Sequence, residues 1–161
     1  MSHLAGCFSQ KLKIFLQSGA STSAELWARN GEADSLIYQM MRDWEERQLD
    51  AVITCPFPVP AVSNQHSSSL GAGGSYTAVY NLTGCPAGVL PVSRVKPEDE
   101  VGLQDYPLQS DLINKIARDA TSGAVGCPVG VQVVGRHYQE EMVLHVMELI
   151  ERLVSETKTG R

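Results

Sequence analysis

Apolar positions along the chain switch repeatedly between helical and strand spacing. Leu12, Ile14, Phe15 and Leu16 predict a short helix that Ser18-Gly19 would end. Thr22 and Glu25 have capping-box spacing, which starts a helix near Ser23, with Asn30-Gly31 as a break or bend. Leu36, Ile37, Met40, Met41 and Trp44 then share one helical face, opposite Arg42, Asp43, Glu45, Glu46 and Arg47. Ala51 to Thr54 is a short β-branched run, read as a buried strand closed by Pro56, Pro58 and Pro60. A polar loop covers Ser63 to Gly74, and Tyr76 to Leu82 predicts a short helix. Ala87 to Val95 is a second strand, and its Pro91 implies an edge or a bulge. Lys96 to Pro107 is acidic and carries two prolines, which predicts a surface excursion. Leu112, Ile113, Ile116, Ala117 and Ala120 restore the helical stripe, with Ser110 as N-cap. In Val129 to Val134, valines alternate with Gly130 and Gln132, which predicts a third strand. Met142, Val143, Val146, Met147, Ile150 and Leu153 give a final helix over about Gln139 to Val154 its buried face.

The resulting order is helix, strand, helix, strand, helix, strand, helix. That is an α/β pattern with about three strands and four helices, the helices covering a largely buried sheet. Strands with Val and Ile on both faces need cover on both sides. The expectation is a piece of a larger sheet, or a chain that needs a partner to complete one.

Composition narrows the function classes. The chain has 161 residues, 43% of them hydrophobic and 19% charged, with a net charge of -5. This is globular, and the absence of a basic block argues against a nucleic-acid partner. No apolar run reaches the roughly 20 residues of a membrane-spanning helix, and no signal peptide is read before Gln17. Cys7, Cys55, Cys85 and Cys127 are too far apart for a Cys-x-x-Cys metal site or a disulfide framework. Free thiols in an intracellular, reducing compartment are expected. Three of the cysteines precede proline. Such pairs are read as small residues held extended by the proline, the alternative being a haem-regulatory motif. No metal or other cofactor is expected.

The tempting chemistry lies in His66 to Ser75, where serines, a histidine and Gly71-Ala72-Gly73-Gly74 come together. This is neither a Gly-x-Ser-x-Gly elbow nor a phosphate loop, and a surface loop is the expectation. Glu141 and His145 have the spacing of a helix-surface pair. Asn81-Leu82-Thr83 matches a glycosylation sequon, a match that the free-thiol pattern opposes. The residues alone offer no convincing active site.

Three segments in order carry a resemblance. Leu49-Asp50-Ala51-Val52-Ile53-Thr54-Cys55-Pro56 is the first. Tyr76 to Pro91 is the second, and Gly126 to Gly135, followed by Glu140-Glu141 and an apolar helix, is the third. Together they resemble the closing part of amidase-signature enzymes, over about Ser21 to Glu156. Ala24-Glu25-Leu26-Trp27, Tyr76 to Asn81 and the acidic insertion before Gly126 are most similar to the fatty acid amide hydrolases.

The resemblance implies the C-terminal part of a mixed sheet covered by helices. It divides the chain into an irregular lead-in at 1–20, an incomplete amidase domain at 21–156 and a tail at 157–161. Family members use a serine nucleophile, a bridging serine and a lysine base, within a Gly/Ser-rich signature placed earlier than these segments. None of Lys11, Lys13, Lys96, Lys115 and Lys158 stands in such a motif. No catalytic residue is therefore assigned, and the chain alone is expected to be inactive. The substrate implied for a longer parent is a lipid amide, with membrane association and homo-oligomerisation as further expectations for it. Gly74, Ala78 and Ile113 are implied to border an acyl channel, the alternative being that they only pack. A noncatalytic binding module, or a relative acting on another amide such as a transamidation subunit, are the competing readings.

Overall fold

The computed structural model describes residues 19–105 and 112–159. The short helix expected over 12–16, Cys7 and the N-cap at Ser110 lie outside the described residues. The first element is α1, Ser23–Glu46. Thr22 Oγ1 accepts the Glu25 N–H at 3.2 Å, and the Glu25 carboxylate accepts the Ser21 N–H at 2.7 Å. Both halves of a capping box are thus present, with the return bond displaced by one residue. The helix runs through Asn30-Gly31 unbroken, where a break or bend was expected, and Ser35 Oγ donates to the Gly31 carbonyl. One interior glycine costs about 1 kcal/mol relative to alanine, which a helix of this length absorbs.

The chain divides within α1 into two compact units, one up to Asp43 and one from Trp44 onward. In the first, Leu26, Trp27, Leu36 and Tyr38 are exposed. The second opens with buried Trp44 and leaves the helix through Gln48, whose backbone is left-handed at φ 53°. The Leu49 N–H returns to the Trp44 carbonyl at 2.9 Å and the Gln48 N–H to that of Glu45 at 3.0 Å. That is a Schellman ending with glutamine where glycine is usual.

The second unit is built on three strands: β1 (Ala51–Thr54), β2 (Ala87–Arg94) and β3 (Pro128–Gly135). Their spatial order is β1-β3-β2, and both pairings are antiparallel. Ala51 pairs with Gly135 on one side of β3, and Ala87 with Val134 on the other. The register of β2 slips between Pro91 and Ser93, so Pro91 brings both the edge position and the bulge that its ring demands.

The last helix, α6 (Glu140–Thr159), packs on one face of this sheet. Its Val143 meets Leu90 and Val133, with Val146, Met147 and Ile150 around them. Close approach depends on two glycines. A Cβ at Gly135 would lie 2.7 Å from Val143 Cγ2, and one at Gly88 would lie 2.3 Å from Met147 Sδ.

Gln132 points to the opposite face, as strand alternation requires, yet it is buried. Its amide Nε2 donates to the Tyr76 carbonyl of α3, Ser75–Thr83, at 3.4 Å. His137 Nε2 donates to the Thr83 carbonyl at the other end of the same helix. Side chains on β3 and just beyond it therefore hold α3 at its first and last turns. Gly84, left-handed at φ 65°, ends α3, and the Cys85 N–H returns to the Tyr80 carbonyl at 3.0 Å.

Two helices were not expected. Asn64–Ser67 forms a single turn, α2, continued by a 3-10 stretch over Ser68–Gly74. Pro97–Gln104 forms α4, where a surface excursion was read. Its start is well made: Pro97 opens it, Glu98, Asp99 and Glu100 fill the first turn, and Asp99 Oδ2 accepts the Lys96 N–H at 2.8 Å. Glu100 Oε1 accepts the Gly123 N–H at 2.6 Å, which ties α4 to the turn after α5, Leu112–Thr121. Cys55, Cys85 and Cys127 are free thiols. Cys85 is buried as a small residue, whereas Cys55 is exposed and donates to the Phe57 carbonyl.

The contact between Gly135 and Val143 gives a direct test. Gly135→Ala should lower the unfolding free energy by about 1–3 kcal/mol, because Val143 is β-branched and cannot swing aside. In a urea-denaturation double-mutant cycle, Gly135→Ala combined with Val143→Ala should cost less than the sum of the two singles. Strict additivity would mean that the helix does not bear on this glycine.

Candidate functional site

A cavity of about 450 Å³ opens in the second unit. One wall is a single face of α5, where Asn114, Ala117, Arg118 and Thr121 recur at helical spacing. Asp99, Glu100 and Leu103 of α4 form the wall beside it, and Val95, Ala124 and Val129 the base. Leu70 and Gly73 from the 3-10 stretch, with Pro58, Val59 and Pro60, close the remaining side. Gly73 is closely packed there: a Cβ would lie 2.7 Å from Phe57 Cζ and 3.0 Å from Pro58 Cδ, so the Phe57 ring would have to shift. A second hollow of about 440 Å³ lies against the same proline segment, lined by Cys55, Phe57, Val89, Pro91 and Gly130. Val89 is 53% exposed there, so this sheet face is only partly covered.

The cavity is apolar over most of its lining, with its charges at one place. Asp99, Glu100 and Arg118 come from the facing helices α4 and α5. Arg118 Nη2 also reaches Asp119 Oδ1 at 3.3 Å. Few convergent polar groups on an apolar wall are the usual make-up of a small-molecule site.

Of the residues singled out from sequence, Gly74 ends the 3-10 stretch and has open space where a Cβ would sit. Ala78 is exposed one turn further along, on α3. Neither lines the cavity, although Leu70 and Gly73 just before them do. Ile113 belongs to α5; its side chain lies outside the description, and its neighbour Asn114 lines the cavity. Of the two regions named from sequence, Gly74–Ala78 and the helix bearing Ile113, only the helix lines the cavity.

The α4 residues were missed. The signal was present in Pro97-Glu98-Asp99-Glu100, a proline followed by an acidic first turn. Arg118 and Thr121 were also within reach, since they extend the helical stripe of Asn114 and Ala117 by one turn.

The Ser/His-rich loop holds one contact of catalytic type. Ser63 Oγ lies 2.9 Å from His66 Nδ1, at i, i+3 across a single helical turn. Among the described residues no carboxylate orients this imidazole, so the pair lacks the third group that a triad needs. Lys96 and Lys115 are exposed, and neither hydrogen-bonds a serine hydroxyl among the described residues. No three His, Cys, Asp or Glu side chains converge for a metal among those residues. On α6, hydrogen bonding to Arg152 holds the Glu148 carboxyl below its ordinary range; both side chains are exposed and remote in sequence from the cavity-lining segments. No helix among the described residues is long and apolar enough to cross a membrane. Thr83 of the sequon-like triplet is buried.

Comparison with known proteins places these features in context. The amidase family's sequence profile matches residues 6–144. The chain is 35% identical over 147 residues to fatty-acid amide hydrolase 1 of Sus scrofa, and 39% identical over 153 residues to fatty acid amide hydrolase 1 of Caenorhabditis elegans. Each alignment covers 90% of this chain and 25% of the relative. An acetamidase of Aspergillus oryzae is 31% identical over 117 residues, covering 70% of this chain and 21% of that protein. A solved fatty acid amide hydrolase structure superposes with a TM-score of 0.64 at 20% identity, covering 83% of this chain and 24% of its own. The chain thus spans about a quarter of the length of the curated relatives it matches. Since the family profile matches most of its length, and the three sequence segments fold around one sheet, the chain belongs to the amidase family.

Proposed function

We propose that this chain is a segment of an amide hydrolase acting on fatty acid amides. It supplies the wall along which the acyl chain lies and does not turn over amide by itself. The observation that carries the reading is the cavity between the Leu70–Gly73 stretch and α5, the helix that bears Ile113. Two relatives aligned over 90% of this chain are named for fatty acid amides. Burying an alkyl chain there is worth about 0.8 kcal/mol per methylene, before the cost of ordering the chain. Eight buried methylenes would give about 6 kcal/mol, enough for the wall to select long chains over short ones.

Gly74, Ala78 and Ile113 belong to the same proposal as the approach to this cavity. Small residues at Gly74 and Ala78 leave room for an apolar chain, and Ile113 adds an apolar surface on α5. The nucleophile and base would come from sequence that this chain does not contain. The exposed positions of Lys96 and Lys115, neither hydrogen-bonded to a serine hydroxyl among the described residues, support that division of labour. Free thiols support an intracellular setting.

Four outcomes test this. The purified chain should release no fatty acid from octadecanamide, yet bind it in a calorimetric titration; turnover abolished by a fluorophosphonate would overturn the inactive assignment. Ala117→Trp should fill the cavity and weaken octadecanamide by tenfold or more, on the order of 1.4 kcal/mol, with a short amide unaffected. Ala78→Trp should obstruct long chains in the same selective way. An unchanged ratio of long to short binding, with a lowered melting temperature, would leave these positions a packing role only. Finally, the outer edges of β1 and β2 and the half-covered Ile53 and Val89 should drive self-association in sedimentation. A strict monomer at high concentration would contradict that.

A further inference from the structure

We infer that Asn114 reads a hydroxyl group carried on the acyl chain, so that the cavity takes neutral, hydroxylated long-chain amides in preference to plain ones. The inference rests on the reading of the cavity as an acyl site, and goes beyond it in naming the substrate class.

Most polar groups on the lining already make at least one hydrogen bond within the protein. Thr121 Oγ1 donates back to the Ala117 carbonyl at 2.9 Å. Asp99 holds the Lys96 N–H, Glu100 holds the Gly123 N–H, and Arg118 reaches Asp119. Ser69 also lines the cavity but is exposed, so water satisfies it. Asn114 differs from all of these. It is half-buried on the α5 wall, and its side-chain amide has no hydrogen-bond partner among the described residues.

A primary amide offers two donors and an acceptor with two lone pairs. A hydroxyl is donor and acceptor at once, so the two groups pair in either sense. A plain methylene laid against Asn114 would strip the amide of water and return nothing, which is the costly outcome for a polar group. A free carboxylate fits less well, because Asp99 and Glu100 bring two negative charges to the lining against one positive charge from Arg118. The favoured ligand is therefore neutral, long-chained and hydroxylated. With Asn114 only half-buried, the advantage is that of one neutral hydrogen bond, about tenfold in affinity.

The test uses the chain as it stands and two probes, octadecanamide and its mid-chain hydroxy derivative, compared by calorimetric titration. The wild-type chain should bind the hydroxy probe about tenfold more tightly. Asn114→Leu should abolish that preference while holding or improving the affinity for octadecanamide, and Asn114→Gln should retain part of it. Equal binding of the two probes by the wild-type chain would overturn the role of Asn114 and leave the acyl site standing. So would a preference that survives in Asn114→Leu. Failure of the wild-type chain to bind either probe would overturn the acyl site and this inference together. The wild-type ratio is decisive even if the leucine variant does not fold.

Discussion

The burial of β3 on both faces is the constraint on which the second unit depends. Val133 and Val134 are consecutive in sequence, point in opposite directions, and are both fully buried. A strand can be buried in this way only when each face is covered and each edge is paired. The pairing comes from β1 and β2, and the cover from α6 on one side. On the other side, Gln132 and His137 reach α3. The valines supply apolar area, and the two polar side chains fix which helix sits opposite α6 and where. Gly88 and Gly135 complete the scheme by letting α6 approach the sheet closely.

The cavity is a consequence of the same arrangement. Val129, near the start of β3, forms part of its base, together with Ala124 from the segment that leads out of α5. Glu100 ties α4 to the turn after α5, so the two walling helices are joined by a hydrogen bond as well as by the chain. The proline run after β1 has no capacity to extend the sheet and folds over the opening. The site is thus assembled from five stretches of sequence, each positioned for a separate physical reason. None of them carries a nucleophile with a complete set of partners among the described residues.

How much was legible in sequence depends on how local the cause was. Helices α1 and α6 were readable because their apolar stripes are long, and the edge and bulge of β2 were readable because Pro91 permits little else. In β3, alternation correctly gave the strand and set Gln132 on the face opposite Val133, but did not mark it as buried. Its burial comes from a bond to α3, 56 residues earlier in the chain, which no local pattern records. Helix α4 was missed because acidic residues and prolines were weighed as surface signals when they also form a helix start. Gln48 in a left-handed turn gave no signal at all, since side-chain type there opposes the conformation. Resemblance pointed to α5 and to Gly74–Ala78, which follows the cavity-lining Leu70 and Gly73 in sequence, but not to the cavity itself. The residues that line it on α4 become visible once the chain has folded.

The central claim, that an acyl chain lies between the Leu70–Gly73 stretch and α5, is open to a direct spatial measurement. A long-chain amide carrying a photoactivated diazirine near its methyl end would be bound to the chain, irradiated, and the adducts located by peptide mass spectrometry. The account predicts adducts concentrated on Pro58 to Pro60, Leu70 to Gly73 and Asn114 to Thr121, competed away by unlabelled amide. Adducts confined to the exposed side of α6, or spread over the surface without competition, would contradict it.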